Sequence, residues 1–333
     1  DLNGSGKGSA VFFDFGSYGI IRNSILKENI NLSEGVIFSW SDYLIENTLI
    51  TQNTSRVVFQ HSSWSPSTPI VNQVTITNNF VPAAETDGYI LGTQFDSQFD
   101  FRNTNIVDNE QQGLYIFGDS TGYNPSLSVN YCNMDYPIED GDVFIAGNID
   151  VDPMFVDTAN GDYTLQMDSP LIDAGHPDST DADGTIADIG AYYYDQSGQP
   201  ARVQGFVTTP TDSSEIFLTW EAVAGNFSGS YKIYRSTDPD EDFYSASPVS
   251  SVISTIWGDD LGVEDQTYYY RVSAMDSEGD ESLLALTEHA RFGLDSTSLY
   301  LQDAFLIHTT GSGLDAGSSY TLEAFVRFPA FPA

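Results

Sequence analysis

The sequence predicts an all-β protein that begins as a stack of repeated strands, a solenoid, and three observations predict this. Short apolar segments alternating with polar residues recur through the first 136 residues. They are rich in β-branched residues and bounded by Asn, Gly and Ser, as strands and turns are. After residue 201 new alternating segments, such as Glu215-Ile-Phe-Leu-Thr-Trp220 and Thr267-Tyr-Tyr-Tyr-Arg-Val-Ser-Ala274, indicate a β-sandwich.

The repeated unit is a degenerate phrase, Asn-[Ser/Thr]-x-[Ile/Leu]-x-x-Asn, with successive starts 24, 26, 30 and 27 residues apart. Repeats of 20–50 residues are typical of solenoids. We therefore predict four to five stacked coils over residues 1–136. Copies of the phrase begin at Asn23, Asn47, Gln73, Asn103 and Asn130.

The phrases also predict which way each side chain points. One set should share a column: Ile25, Leu49, Thr75, Asn105 and Cys132. Because side chains alternate along a strand, the next set should point inward: Leu26, Ile50, Ile76 and Ile106. The recurring Asn residues have two interpretations, as turn formers in the left-handed conformation or as a stacked hydrogen-bonded ladder. The single cysteine is expected to be a small buried side chain.

Residues 1–147 resemble the right-handed parallel β-helix proteins, the architecture of pectate lyases and of many bacterial exported proteins. Residues 148–196 resemble the segment that closes such a β-helix, through Asn148-Ile-Asp-Val-Asp-Pro-Met-Phe, Ser169-Pro-Leu-Ile-Asp-Ala-Gly and Ala187-Asp-Ile-Gly-Ala-Tyr. The resemblance implies a polar, Asp-rich lid that covers the last coil. Its apolar floor would be Met154, Phe155, Leu165, Leu171, Ile172 and Ile189.

Two further regions follow a short polar linker at 197–201. Residues 202–290 resemble a fibronectin type III module, with Trp220 in an early strand and Tyr268 in the tyrosine-corner position. Residues 291–333 resemble the first strands of a LamG or concanavalin A-like sandwich, although a complete one needs more residues than this. Both ends of the chain read as cuts through a longer protein.

The charge balance restricts the partners. With 48 acidic and 11 basic residues the formal net charge is -37, which repels nucleic acid and anionic lipid. No apolar run is long enough to span a membrane, so no membrane insertion is expected. The composition and the modules together favour an extracellular or cell-surface protein of bacterial origin, and the acidity fits a marine or halophilic source as well as calcium binding.

Aspartates at alternate positions are the candidate metal ligands. Asp178, Asp181 and Asp183, followed by Gly184, are similar to a Ca²⁺ loop but lack its closing Glu. A second loop offers Asp238, Asp240 and Asp242. The alternative for both loops is a solvated turn.

Catalysis is not expected within this chain. A polysaccharide lyase needs a basic side chain near the abstracted proton, and the first 200 residues hold five scattered Lys and Arg. A glycosidase needs two carboxylates at a set separation, for which the candidates are Asp96 with Asp100 and Asp140 with Asp142. Possible sugar-stacking aromatics, with packing under loops as the alternative, are Trp40, Tyr43 and Trp64.

Three functions therefore remain open. The first is a non-catalytic surface protein in adhesion, extracellular structure or glycan binding, with extracellular polysaccharide or other surface proteins as partners. The second is a polysaccharide-active enzyme, lyase or glycosidase, whose catalytic coils lie partly outside this chain. The third is a subunit of an extracellular filament or surface layer.

Overall fold

A computed structural model describes residues 10–82, 88–111, 113–117, 126–135, 142–211, 215–223, 227–260, 266–291, 300–302 and 305–307. Among these residues there are 24 strands, one short 3-10 turn and no α-helix. The fold is therefore all-β, as predicted. No helix in the described part is long and apolar enough to cross a membrane.

The first thirteen strands form a solenoid of about four turns in which every pairing is parallel. They are β1 (Val11–Phe13), β2 (Gly19–Arg22), β3 (Ile25–Lys27), β4 (Ile30–Ser39), β5 (Tyr43–Thr51), β6 (Thr54–Ser67), β7 (Ile70–Thr77), β8 (Tyr89–Arg102), β9 (Asn105–Val107), β10 (Leu114–Phe117), β11 (Ser126–Asn130), β12 (Asn133–Met134) and β13 (Asp142–Ala146).

The predicted register is correct for four coils and wrong for the fifth. Ile25 pairs with Leu49, Leu49 with Thr75, and Thr75 with Asn105. The next residue in that column is Asn133, not Cys132. The phrase was misaligned by one residue because its opening left-handed position is filled by Tyr131 (φ 53°) instead of an Asn.

The inward set is confirmed. Ile50, Ile76 and Ile106 are at most 1% exposed, and Leu26 packs against the same core. Phe59, Phe99 and Phe101 fill the interior beside them. A continuous apolar column thus runs through the stack, which is the main source of stability in a solenoid.

Each phrase makes two left-handed turns, five residues apart, on either side of a short strand. The first turn uses Asn23, Asn47, Gln73, Asn103 and Tyr131, and the second uses Glu28, Gln52, Asn78 and Asp108. The hydroxyl after the first turn bonds the carbonyl two residues earlier, as Thr48 and Thr104 do. Cys132 occupies the same position and its Sγ lies 3.4 Å from Asn130 O, buried as expected.

The Asn that closes the phrase forms a buried ladder, so it is more than a turn former. Asn29 Nδ2 donates to Asn53 Oδ1 (2.8 Å), Asn53 Nδ2 donates to Asn79 Oδ1 (2.9 Å), and Asn79 Nδ2 donates to Asn109 Oδ1 (2.8 Å). Asn53 and Asn79 are fully buried. Each side chain also satisfies backbone groups of neighbouring coils, which burial requires.

Residues 152–196, here called the flank segment, run back along the side of the solenoid instead of lying only across its end. The segment contains β14 (Phe155–Asp157), a 3-10 turn (Thr158–Asn160) and β15 (Asp162–Leu165). Ala191 N donates to Thr75 Oγ1 (2.9 Å) and His176 N donates to Asn103 Oδ1 (2.7 Å). This docking buries the outward-facing Leu49, which a lid over the last coil would leave exposed.

The remaining described strands form a sandwich and a small hairpin. One sheet contains β16 (Val207–Pro210), β17 (Glu215–Thr219) and β20 (Ile256–Asp260); the other contains β18 (Ser230–Ser236), β19 (Ser250–Val252), β21 (Thr267–Met275) and β22 (Glu288–Arg291). A three-on-four antiparallel arrangement is consistent with a fibronectin type III-like module. Trp220 and Tyr268 lie in its core.

The LamG-like prediction for residues 291–333 lies mostly outside the described residues. The described part forms an antiparallel hairpin of β23 (Tyr300–Gln302) and β24 (Phe305–Ile307).

Candidate functional site

The Asp-rich loop uses its carboxylates to bind its own backbone. Asp181 Oδ2 accepts from Asp188 N (2.7 Å), and Asp181 Oδ1 accepts from Gln73 Nε2 (2.7 Å) in the solenoid. Asp183 accepts from Thr185 N (3.0 Å) and Gln196 N (2.8 Å). The loop therefore turns back on itself and attaches the flank segment to a solenoid coil.

Two further carboxylates lie deeper beside this loop. Asp188 is 1% exposed and accepts from Asp173 N and Tyr194 N, both at 2.7 Å. Asp173 accepts both of its bonds from Gln196 Nε2 at 3.0 Å. Burial raises the pKa of Asp188 to about 8, that of Asp181 to about 6, and that of Asp173 above its usual value.

The predicted calcium ligands do not converge on an ion-sized space. Among the described residues no group of three His, Cys, Asp or Glu side chains is arranged to hold a metal ion. The Asp181 and Asp183 oxygens already accept amide hydrogens, so a cation would compete with these bonds. Asp178 is exposed, and its backbone N bonds His176 Nδ1. Calcium at this loop stays a prediction.

The second acidic loop forms short-range turns on the sandwich surface. Asp240 N donates to Asp238 Oδ1 (3.0 Å), and Ser245 Oγ donates to Asp242 Oδ2 (2.6 Å). All three aspartates are exposed. This geometry is that of solvated turns whose side chains bond the following backbone.

The three aromatic candidates lie in different environments. Trp40 is half-buried and stacks on Phe15 with ring centroids 4.7 Å apart. Tyr43 is 1% exposed within the solenoid core, so it cannot stack on a surface ligand. Trp64 belongs to β6, and its side chain lies outside the described part of the chain.

The histidine of the solenoid interior is structural. His61 Nδ1 lies 2.7 Å from Ser39 Oγ and its Nε2 lies 2.9 Å from Ser67 Oγ, with all three side chains buried. Since Ser39 Oγ donates to Ser41 O, the network requires Nδ1 to donate and Nε2 to accept. Burial lowers the pKa of His61 to about 4, which keeps it neutral.

Of the candidate carboxylate pairs, Asp100 is the one member whose side chain is among the described residues. Asp100 is buried and pairs with Arg102. The side chains of Asp96, Asp140 and Asp142 lie outside the described residues. The pairings predicted for a glycosidase therefore receive no support from Asp100.

Sequence reasoning missed a groove between the flank segment and the solenoid. Its volume is about 560 Å³, within the range of ligand sites. One wall consists of the first-turn residues Asn23, Asn47 and Gln73, one from each of three coils. The opposite wall includes Tyr192 and Tyr193. The recurring left-handed Asn was a signal for the first wall, but nothing local predicted the second.

Sequence reasoning also missed the junction between the flank segment and the sandwich. Asp168 Oδ1 accepts from Arg271 Nη2 (2.7 Å) and from Tyr244 OH (3.1 Å). Burial acts to raise the pKa of Asp168, but the bonds and charge of Arg271 outweigh it and hold the pKa below its usual value. Arg202, 4% exposed, donates to Ser169 O and Met167 O.

The junction also has an apolar core. Leu283 of the sandwich belongs to the cluster of the flank segment that includes Leu165, Leu171, Ile172 and Ile189. The linker at 197–201 therefore does not leave the two modules independent of each other. Buried contacts of both kinds, polar and apolar, cross from one to the other.

Comparisons with known proteins give no family for the chain. No protein-family model and no curated protein matches the sequence. A fibronectin type III-like protein from Clostridium thermocellum is 25% identical over 28% of this chain and 95% of that chain, with a TM-score of 0.25. The spore cortex lytic enzyme SleM from Clostridium perfringens is 9% identical over 59% of this chain and 68% of that chain, with a TM-score of 0.24.

A β-1,2-glucanase from Parabacteroides distasonis is 22% identical over 34% of this chain and 16% of that chain, with a TM-score of 0.23. At such TM-scores these likenesses carry no argument about function. The assignment of the sandwich rests on its own strand order.

Proposed function

We propose that this chain is a non-catalytic part of an extracellular protein, in which the solenoid and the sandwich act as one rigid unit in adhesion, extracellular structure or glycan binding. The observation that carries the proposal is the junction. An ion pair between the buried Arg271 and the partly exposed Asp168, two arginine–carbonyl bonds and a shared apolar cluster resist pivoting at the linker. A unit of this kind holds a binding surface at a fixed distance and angle.

The chemistry of the described residues supports a non-catalytic role. The carboxyls with raised pKa values, Asp173, Asp181 and Asp188, accept amide hydrogens at their oxygens. A general acid needs an oxygen free to carry and release its proton. His61, the one histidine within hydrogen-bond reach of two serines among the described residues, is enclosed in the core.

One observation favours the enzyme as a second candidate. Asp181 lines the groove, and a carboxyl with a pKa of about 6 is typical of a glycosidase acid. A glycosidase also needs a second carboxylate across the scissile bond. Among the described residues that line this groove, Asp181 is the one carboxylate.

The proposal is tested by activity and by shape. Purified protein is incubated with neutral and acidic polysaccharides, with and without calcium, and assayed for reducing ends and unsaturated products. No turnover is expected, and turnover abolished by Asp181→Asn would establish the enzyme instead.

Small-angle X-ray scattering tests the rigid unit. The unaltered chain should fit a single arrangement of the two modules, whereas Asp168→Ala should broaden the distribution of distances. Arg22→Ala, which removes an exposed ion pair within the solenoid, is the matched control. A distribution as broad for the unaltered chain as for Asp168→Ala would contradict the rigid junction.

A further inference from the structure

The groove between the flank segment and the solenoid has the dimensions and chemistry of a ligand site. It runs across three coils, and neighbouring coils are about 4.8 Å apart. The side chains of Asn23 and Asn47 are exposed, and Gln73 follows on the next coil. An elongated ligand would therefore meet the exposed amides of Asn23 and Asn47 on neighbouring coils, whereas the Gln73 amide donates to Asp181.

The amide wall suits hydroxyl groups. Each Asn or Gln side chain offers both donors and an acceptor, so it can pair with a hydroxyl in either direction. Thr164 and Thr180 add hydroxyls of their own, and both are exposed. A ligand with many hydroxyl groups would satisfy this lining, whereas a purely apolar ligand would leave it unpaired.

Tyrosine rings form the opposite wall. Tyr193 is 44% exposed and Tyr192 is half-buried. An exposed tyrosine ring provides a flat apolar face together with a polar edge, which suits the C–H face and the hydroxyls of a sugar. Ile25, 55% exposed, adds an apolar patch to the same groove.

The described lining of the groove disfavours both anionic and cationic ligands. An anionic ligand would face the field of a protein with a net charge of -37 and would find no Lys or Arg in the part of the lining that the structure describes. Among the described lining residues a basic peptide would find one carboxylate, Asp181, whose two oxygens already accept hydrogen bonds. The groove thus favours a neutral ligand.

From these observations we infer that the groove binds a neutral oligosaccharide, with Asn47 and Tyr193 as its principal contacts. The inference rests on the proposed non-catalytic role and names the ligand class for it. Turnover of a polysaccharide would overturn that role and leave binding intact, whereas absence of binding would overturn the inference and leave the rigid unit intact.

The test is calorimetric titration of the intact chain with cellohexaose, laminarihexaose, xylohexaose and mannohexaose, and with tetragalacturonate and tetralysine as charged probes. At least one neutral hexasaccharide should bind saturably. Tyr193→Ala should weaken that binding about tenfold, which corresponds to about 1.4 kcal/mol. The matched control is Tyr18→Ala, which removes a tyrosine that is 61% exposed and outside the groove lining.

A second pair of variants tests the amide wall without disturbing the backbone. Asn47→Gly removes the amide but keeps the left-handed turn at φ 47°, and Gln52→Gly does the same at φ 56° outside the groove. Asn47→Gly should weaken binding severalfold and Gln52→Gly should not. Preference for a charged probe, binding that is indifferent to Tyr193→Ala and Asn47→Gly, or no binding at millimolar concentration would each overturn the inference.

Discussion

The solenoid ladder and the flank segment solve the same problem, buried backbone groups, in opposite ways. In the ladder one residue type repeats at one position of each coil, and Asn53 bonds Asn79 26 residues away. In the flank segment every bond is unique, and Ala191 reaches Thr75 across 116 residues. Periodic neighbours can be read from a sequence, whereas single long-range contacts cannot.

The largest expected effect breaks the ladder in its middle. Asn79→Ala removes three donations and leaves buried groups of Asn53 and Ile50 without partners. Unsatisfied buried groups cost about 1–3 kcal/mol each, so the free energy of unfolding should fall by about 4 kcal/mol. Equilibrium urea unfolding measures the loss.

The end of the same ladder supplies the control. Asn29 is half-buried and donates to Asn53 and Lys27 O without accepting from a further Asn described here. Asn29→Ala should cost about 1 kcal/mol. Equal losses for the two variants would show that the stability each Asn contributes does not depend on how deeply it is buried.

The solenoid core should lose stability on acidification. His61 has a native pKa of about 4 against 6.5 when unfolded, so the unfolded chain binds more protons between these values and stability falls as the pH drops through them. A pKa difference of this size corresponds to about 3 kcal/mol in the free energy of unfolding. His61→Gln should remove this slope in urea unfolding from pH 7 to 4, and the imidazole of the unaltered chain should show no NMR titration above pH 5.

The flank segment should respond with the opposite sign. Asp181 has a native pKa of about 6 against 3.8 for an ordinary aspartate, so the native chain binds more protons between these values and stability falls as the pH rises. The contribution is up to about 3 kcal/mol. Relative to the unaltered chain, Asp181→Asn should therefore gain stability with rising pH, where His61→Gln loses it. If the stability of both variants relative to the unaltered chain changed with pH in the same direction, the opposite roles of His61 and Asp181 would be contradicted.

The sequence predicted the periodic half of this molecule well, for a physical reason. Stacked coils place each phrase against its own copy, so Ile50, Ile76 and Ile106 could be assigned inward from spacing alone. The predicted register failed in the fifth coil because it relied on Asn to mark the left-handed turn. In that coil the turn residue is Tyr131, which takes the place that Asn103 has one coil earlier.

The flank segment and the groove were less predictable. A motif indicated that the chain closes there, but the direction in which it runs depends on contacts such as Gly190 N with Asn103 O. No local pattern in either segment encodes that pairing. For the same reason the groove walls, which come from residues more than 100 positions apart, could not be joined from the sequence.

Two glycine substitutions test how closely the flank segment packs against the solenoid. Gly190 has φ 125°, and an added Cβ would lie 2.9 Å from Thr75 Oγ1; Gly184 has φ 91° and open space around it. Both alanine variants carry backbone strain of about 1 kcal/mol or more. Gly190→Ala should cost about 2 kcal/mol beyond Gly184→Ala because Thr75 must move. Thermal unfolding of the two variants measures the difference, and similar costs would show that the flank segment packs loosely.

The smallest expected effect is that of calcium on the Asp-rich loop. Because four amide donors already bond the oxygens of Asp181 and Asp183, an ion would compete with bonds that the fold has formed, and only weak binding should remain. Melting temperatures in chelator and in millimolar calcium should then differ by less than about one degree. A native-state ligand present at a hundredfold excess over its Kd adds about 2.7 kcal/mol, which would raise the melting temperature by several degrees. A rise of that size, lost in Asp181→Ala but kept in Asp240→Ala, would establish calcium at the first loop and would show that its carboxylates rearrange on binding.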